Sequence, residues 1–584
     1  MSANADIASI FDRMARMLEV TGANRFRVNA HSKAARVIRE QTTDVTTLSK
    51  SELTALDGIG DGTAKKILEY AETGGIDEHD ELASKVPEGV LEIMELPGVG
   101  PKTAKLMWDE KGITDIRSLK DAIADGHLAD LKGLGKKSIE KIERAIEFAA
   151  QGQGRTPIGV AQPLAERLVE TMLGVEGVER AAYAGSLRRG EETIGDIDIL
   201  CVASDRDAAS ESFTTMEGVV DVIASGDKKS SVRIEHKSRT IQADLRLVED
   251  DHWGAALMYF TGSKDHNVRL REVAIKAGMT LNEYGVFEDD GSDDTPPQAR
   301  GLSPVASRTE EAIFKALRRT YVVPELRQDL GETAADWEAP ELVTVDDIKS
   351  ELHAHTRASD GSMTIEQLAQ NAKDRGFHTI CVTDHSKAAA IANGLDEDRL
   401  RAHIDAVRET DESMKGISIL AGSEVDILAD GSLDYDDDLL AELDIVVASP
   451  HVALDQSPED ANARLLRAIE HPLVHVIGHP SGRLILSRKG FELDIDTLSA
   501  AAAERRVALE VNSNPKRLDL RDTHVRAALA KGANIAIDCD VHRPDHYDFL
   551  HYGVRTARRG GLTKDRCVNT WTKAKLHKWL KSKR

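Results

Sequence analysis

The sequence predicts a multidomain chain of three regions: an α-helical N-terminal region, an α+β middle and a C-terminal β/α barrel of seven strands. Three observations carry this. The first 150 residues repeat a glycine-hinged helical pattern three times. Residues 196–248 hold two stretches in which acidic and apolar side chains alternate, as in strands with one buried face. From about residue 345, seven short Val/Ile-rich runs end in polar residues able to ligate a metal, and each gives way to a helical stretch. At 584 residues the chain also exceeds what one hydrophobic core supports.

The repeats are LDGIGDGTAKKI (56–67), LPGVGPKTAKLM (96–107) and LKGLGKKSIEKI (131–142). Gly58 and Gly60, Gly98 and Gly100, and Gly133 and Gly135 permit a tight turn. The helix that follows each pair offers free N–H groups to an anion, with Lys102 among the lysines of its first turns. Such a grip holds a phosphate backbone without reading sequence. A single Gly-x-Gly is a capping turn, whereas three copies with shared flanks point to nucleic acid. The copies resemble the helix-hairpin-helix motifs of DNA repair proteins, and that resemblance implies Na⁺ or K⁺ at the motifs. FRVNAHSKAARVIRE (26–40) reads as a basic helix.

In the middle region, GDIDIL (195–200) places Asp196 and Asp198 on one strand face and Ile197 and Ile199 on the other. IQADLRLV (241–248) supplies Asp244 on a neighbouring strand. Three carboxylates on one face repel unless cations lie between them. Oxygen ligands suit Mg²⁺ or Mn²⁺, and two such ions can activate an attacking oxygen and stabilise a leaving one. Upstream, Gly185 and Ser186 supply a close turn and a hydroxyl for a phosphate chain, and Arg189 a bidentate fork. The bland alternative is an edge hairpin with its aspartates in water. The set resembles the nucleotidyltransferase core of the family X DNA polymerases. By that resemblance Gly195 belongs to the nucleotide site, and YFTGSKDHNVRLR (259–271) holds the incoming nucleotide. Tyr259 and Phe260 would flank the deoxyribose beside Gly262, Asn267 would reach the base edge, and Arg271 the template side. On its own a Tyr-Phe pair is more often core. LNEYGVF (281–287) fits the terminal strands of the same domain. The resemblance also puts Lys66 where lyase-active relatives carry a Schiff-base lysine, beside Lys65. Gly62 replaces a second, phosphate-binding lysine, and both lysines could simply contact DNA phosphate.

The later runs end in His353 and His355, with Asp360 in the loop after them, then in Asp384 and His385, Glu424, His451, His479, Asn512, and Asp540 and His542. Polar residues at the C-terminal ends of alternating strands describe a β/α barrel with its site at one face. His with carboxylate suits zinc, manganese or iron. The pattern resembles the PHP (polymerase and histidinol phosphatase) domain, whose trinuclear phosphoesterase site has nine ligand positions. They fall on His353, His355, Asp360, His385, Glu424, His451, His479, Asp540 and His542, which implies up to three Mn²⁺, Zn²⁺ or Fe²⁺ ions.

These resemblances cover essentially the whole chain. They imply a helix-hairpin-helix N-terminal region, an α+β nucleotidyltransferase palm with a small α/β thumb-like subdomain, and a seven-stranded PHP barrel. The expected divisions are a DNA-end-binding, lyase-like domain (1–85), a fingers-like region (86–155), the palm (156–250), a nucleotide-selecting subdomain (251–325), a linker (326–344) and the PHP domain (345–584). The expected function is a DNA-directed DNA polymerase that fills short repair gaps from dNTPs. The PHP site would act as a 3′–5′ exonuclease or phosphoesterase, with cutting at abasic sites a further option. One alternative is a DNA-binding nuclease or phosphatase with a silent polymerase half; another is a scaffold whose PHP metals are structural. Four scattered cysteines without a CxxC indicate neither a disulfide framework nor a thiolate zinc site. No apolar run is long enough for a membrane span, and MSANADIASIF lacks the pattern of a signal peptide, so the expectation is a cytoplasmic monomer on gapped or nicked duplex DNA. A formal charge of −24 disfavours DNA binding in bulk but does not decide local sites. Acidic runs such as FEDDGSDD (287–294) fit adaptation to high salt.

Overall fold

The computed structural model describes residues 3–583 other than 42, 57, 95, 97, 98, 129, 130, 132, 133, 136, 137, 140, 141, 144, 145, 147–153, 238 and 290–294. It divides into two compact units, Met1–Gly154 and Arg155–Arg584.

Among its described residues the first unit is helical: α1 (Ala3–Thr21), α2 (Arg25–Glu40), α3 (Lys50–Ala55), α4 (Asp61–Thr73), α5 (Asp77–Lys85), α6 (Glu88–Met94), α7 (Pro101–Lys111) and α8 (Ile116–Ala124). Helix α1 ties two small cores together through its apolar period. Ile7, Phe11 and Met14 pack with Ile38, Ile59 and Ile67, while Met17 and Val20 pack with Val90, Met107 and Leu119. The pairs α3–α4 and α6–α7 are the first two glycine-hinged hairpins.

The second unit opens with a palm of five strands in the order β2 (Val178–Tyr183), β4 (Asp196–Ala203), β7 (Arg239–Leu247), β6 (Lys229–His236), β5 (Val219–Ala224). A short pairing of β1 (Thr156–Pro157) with β3 (Thr193–Ile194) precedes β4. Helices α9 (Ile158–Leu173) and α11 (Arg206–Thr215) pack Leu164, Leu168 and Phe213 on the face that carries Ile197, Ile199 and Leu245. The opposite face is left to the acidic side chains. Helix α10 (Gly185–Arg188) links β2 toward β3.

A small subdomain follows, built from α12 (Trp253–Thr261), α13 (Lys264–Lys276), the hairpin β8 (Met279–Asn282)–β9 (Gly285–Glu288) and α14 (Glu310–Ala316). Its core holds Met258, Leu270, Val286, Ile313 and Phe314. The segment expected as a linker, 326–344, carries fully buried Arg327, buried Glu332, and Trp337 packed against this core.

The last region is a parallel sheet in sequence order: β10 (Ser350–Glu351), β11 (Thr379–Val382), β12 (Ser418–Asp426), β13 (Ile445–Ser449), β14 (Val476–Ile477), β15 (Ala508–Asn512) and β16 (Asn534–Asp538). An Ala354–Val541 bridge just beyond the ends of β10 and β16 draws the two edges together, so the sheet curls into a nearly closed form of the seven-stranded barrel that the sequence predicts. Strand β12 is buried at every residue, as parallel strands covered on both faces are. The last part of the helical cover is α20 (Asp522–Ala530), α21 (Leu550–Arg559) and α22 (Lys573–Lys581), following α15 (Ile365–Asp374), α16 (Glu397–Ser413), α17 (Asp437–Leu440), α18 (Pro458–Glu470) and α19 (Ile495–Arg505).

Candidate functional site

Strands β4 and β7 run parallel, with Asp198 opposite Asp244 and Asp196 opposite Gln242. Alternation buries Ile197 and Ile199 completely and turns the aspartates to the other face. Asp196, Asp198 and Asp244 each bring a carboxylate oxygen within 4.8 Å of the others. Burial, then the charges of Asp196 and Asp244, push the Asp198 carboxyl up to about 7. Such a trio is short of positive charge, and Lys229 on β6 supplies some, with Nζ 2.5 Å from Asp244 Oδ2. Gln242 Nε2 donates to Asp244 Oδ1 at 3.2 Å. Sequence reading missed Lys229, whose place on the acidic face follows only from the β6–β7 register.

Gly185 sits at φ +63°, and a Cβ there would collide with the Asp198 carboxylate. Both the backbone conformation and the close approach therefore require glycine. The two arginines of the turn diverge. Arg188 forks onto Glu310 at 2.8 and 2.7 Å and onto Thr261 Oγ1 at 2.7 Å. Arg327 reaches the same carboxylate at 2.7 Å. Burial opposes ionisation of Glu310, but the two guanidiniums outweigh it and hold its pKa down at about 2. Arg188 is thus committed to the small subdomain. Arg189 donates to Thr261 O at 2.6 Å and stands 3.5 Å from Glu191. Gly195, exposed, precedes the first aspartate.

Tyr259 and Phe260 end α12 edge to face, ring centres 5.1 Å apart, and Arg246 lies 4.2 Å over the Phe260 ring. Gly262, at φ +68°, turns the chain into α13. Asn267 donates to Tyr259 O at 2.7 Å, while its buried Oδ1 has no hydrogen-bond partner. Arg271 is exposed on the same helix.

In the barrel, all nine sequence-predicted side chains gather at the C-terminal ends of the strands, with Glu424 at the centre. Its oxygens lie 2.8 Å from His385, 2.9 Å from His479, 3.2 Å from His353, 3.3 Å from His451 and 3.6 Å from His355. Asp540 is 3.1 Å from His355, and Asp360 is 3.3 Å from His542 and 3.6 Å from His385. Three overlapping groups could each hold an ion: His355, Asp360, His385 and His542; His353, His355 and Asp540; His385, Glu424 and His451. His353 Nε2, both ring nitrogens of His355, His385 Nδ1, Glu424 Oε2 and Asp540 Oδ1 are buried without a hydrogen bond of acceptable geometry. Orphaned nitrogen and oxygen atoms converging in this way fit divalent metals. His479 and Asp540 hold φ of 26° and 52°, a strained backbone for non-glycine residues.

Burial, then neighbouring His542 and His385, lowers His355 to about 4, and burial lowers His479 to about 3, so both present neutral lone pairs. Burial opposes the charge on His451, yet Glu424 and Asp426 raise it to about 10. Outer partners orient the rings. His353 Nδ1 meets Glu510 at 2.7 Å, whose other oxygen accepts from the His479 N–H. His451 Nδ1 meets Asp426 at 3.2 Å. Asp384 accepts from Thr356, Ser359 and His403. Glu510 and Asp426 escaped the sequence reading because one lies two residues before, and the other two residues after, the strand-end residue that drew attention. Asn512, which did draw it, donates to Asp540 Oδ2 at 3.2 Å.

In the helical unit, Gly58 adopts φ +100°, with the Lys33 chain filling the space of a Cβ. Gly60 and Gly100 cap α4 and α7 without a side chain, so first-turn N–H groups are left for an outside acceptor. Lys102 is exposed beside Gly100, and in the third repeat Gly135 O accepts from Ser138 N at 2.8 Å. Gly98 and Gly133 lie outside the described residues. Lys66 Nζ is 2.9 Å from Glu78, a carboxylate that Arg27 also engages, and Lys65 is 3.7 Å from Asp61.

The chain was compared with known proteins. It matches models of a helix-hairpin-helix domain over residues 2–76, a SAM-like helix-hairpin-helix tandem over 90–147, the DNA polymerase beta thumb over 256–328 and the PHP domain over 351–514. It is 35% identical to the DNA polymerase/3′-5′ exonuclease PolX of Bacillus subtilis over 578 residues, 99% of each chain. A probable phosphatase of Thermoanaerobacter pseudethanolicus is 28% identical over 243 residues, 40% of this chain and 94% of its own. DNA polymerase lambda of Rattus norvegicus is 25% identical over 349 residues, 56% of each chain.

Proposed function

The chain belongs to the family X DNA polymerases with a C-terminal PHP domain, and from that premise we propose that its palm site builds DNA while its barrel site removes it. The protein is a DNA polymerase with a PHP-domain 3′–5′ exonuclease. It binds DNA, uses dNTPs and depends on divalent metal. The division of labour is supported above all by two complete acidic or His-rich clusters in one compact unit.

In the palm, Asp196 and Asp198 would hold two Mg²⁺ or Mn²⁺ ions and Asp244 the catalytic one. Ions held there would supply Lewis-acid stabilisation of negative charge on the primer 3′-oxygen and on the α-phosphate. Lys229 would release Asp244 when the site loads. The Gly185–Ser186 turn and Arg189 would bind the triphosphate. Tyr259 and Phe260 would line the sugar, Asn267 the base edge and Arg271 the template side. Arg188 would instead fix the small subdomain through Glu310.

In the barrel, His353, His355, Asp360, His385, Glu424, His451, His479, Asp540 and His542 would hold up to three Mn²⁺, Zn²⁺ or Fe²⁺ ions. Glu510, Asp426 and Asp384 would keep the ligand side chains oriented. Phosphodiesters at 3′ ends are the proposed substrate. Abasic sites and 3′-phosphates are further ones, the latter in keeping with the resemblance to a probable phosphatase.

The hairpins, with Gly58, Gly60, Gly98, Gly100, Lys102, Gly133 and Gly135, would grip the backbone of gapped or nicked duplex, aided by Na⁺ or K⁺. Lyase chemistry at Lys66 requires release from Glu78, and borohydride trapping on an abasic substrate tests it. The boundaries that we assign to these roles are 1–85, 86–155, 156–250, 251–325 and 345–584, around a junction at 326–344. The proposed setting is base excision repair by a cytoplasmic monomer. The test is Asp196→Ala on a primed template: extension should vanish with 3′ degradation intact. Extension that survives would leave the nuclease with a silent polymerase half as the better reading.

A further inference from the structure

The turn that faces the proposed nucleotide is held from behind by the barrel. Arg555 of α21 donates from Nη2 to Leu187 O at 2.6 Å and to Arg188 O at 3.1 Å. Arg559 donates from Nη1 to Arg189 O at 2.9 Å. Three consecutive carbonyls after Gly185 and Ser186 are therefore taken by two guanidiniums of another domain. Gly190, at φ +73°, lies flat against both, and a Cβ there would stand 3.3 Å from Arg555 Nε and 3.6 Å from Arg559 Cδ.

Arg559 is only 6% exposed, so its fork of donors needs partners, and it finds them on both sides. Nη2 lies 3.1 Å from Glu191, which stands 3.5 Å from Arg189, and Nε is 2.9 Å from Asp522. Asp522, Arg559, Glu191 and Arg189 form a line of alternating charge from α20 to the guanidinium assigned to the triphosphate. Because Glu191 sits closer to Arg559 than to Arg189, the Arg189 fork keeps capacity for another anion. The junction around this line is fixed. Leu518 and Tyr552 of the barrel belong to the same apolar core as Ile158, Leu187 and Ile194, and Arg483 reaches Glu192 at 2.8 Å. Helix α10 has only four residues and few hydrogen bonds of its own, so outside contacts set its position. Binding constellations tolerate displacements of only about 0.5 Å.

We propose that Arg555 and Arg559 are positioning residues for the incoming nucleotide: the PHP barrel completes the polymerase site, independently of its own hydrolysis, by holding the triphosphate turn and Arg189. The proposal rests on the reading of that turn as the nucleotide site. In the full-length protein, Arg555→Ala and Arg559→Ala should raise KM for dNTP on a one-nucleotide gap by roughly 10- to 100-fold, the loss expected for charged hydrogen bonds. Degradation of single-stranded DNA should stay within about twofold of wild type, since neither residue touches the barrel site. Arg559→Lys, which lacks the fork, should fall between. Unchanged KM in both alanine variants, with KM raised in Arg189→Ala, overturns the proposal and leaves the nucleotide reading intact. Unchanged KM in Arg189→Ala overturns that reading itself. If an alanine variant loses melting temperature and both activities together, Glu191→Gln decides, because it cuts the charged line without removing an interface side chain. A raised KM in it supports the proposal, and an unchanged one overturns it.

Discussion

Asp198 shows how a single residue would set the conditions of the proposed polymerase site. Below about pH 7 its carboxyl, raised by burial and by Asp196 and Asp244, carries a proton that a cation must displace. The Mg²⁺ concentration for half-maximal extension should therefore fall close to tenfold per pH unit up to about pH 7, then level off. A flat dependence in a pH series of Mg²⁺ titrations would contradict this. In the barrel, Glu510 anchors both His353 and the backbone of His479. Glu510→Ala should weaken Mn²⁺ activation of 3′ degradation by about 10- to 100-fold, with extension unaffected. At this scale the sequence was most legible where chemistry is dense. DxD alternation and the strand-end histidines mark directly the side chains that cluster in the two sites. Lys229, Asp426 and Glu510 were hidden because an acidic or basic residue carries no signal of its own until the register shows what it faces.

At the scale of elements, the turn before β4 is the tightest constraint. Gly185→Ala adds a Cβ against the Asp198 carboxylate at a positive φ. It should cost roughly 1–3 kcal/mol of stability and depress extension far more than degradation. Thermal melting beside both assays would show this. The Arg188–Glu310–Arg327 cluster joins the palm to the small subdomain. Glu310→Ala deprives buried Arg327 and partly buried Arg188 of their carboxylate, and a loss of about 3–5 kcal/mol is expected in denaturant unfolding. The pKa of Glu310 is depressed to about 2 from its usual 4.5. Its stabilisation is thus complete above 4.5 and lost as pH falls through 2. Elements with strong periodicity were legible: the hairpin helices, β4, β7 and the barrel strands. The packing of 327–337 was not, because Arg327 and Glu332 look like surface residues until Glu310 and His266 are seen to satisfy them.

For the whole molecule, a formal charge of −24 is a self-repulsion that salt screens. If the acidity is an adaptation to brine, melting temperature should rise steadily with KCl from about 0.1 M to about 2 M. Greatest stability at low salt would reject the adaptation. The order of helical region, α+β middle and barrel was readable from the sequence motifs, whereas the contact of α21 with the palm turn was not. That contact joins residues 368 positions apart, and two arginines on an amphipathic helix read as solvated charge. The central claim is that one chain carries two separable active sites. It is tested most directly by extension and degradation on a one-nucleotide gap, in the same reaction, with wild type, Asp244→Ala and His355→Ala. The account predicts that Asp244→Ala loses only extension and His355→Ala only degradation. Loss of both activities in either variant, or survival of extension in Asp244→Ala, would contradict it.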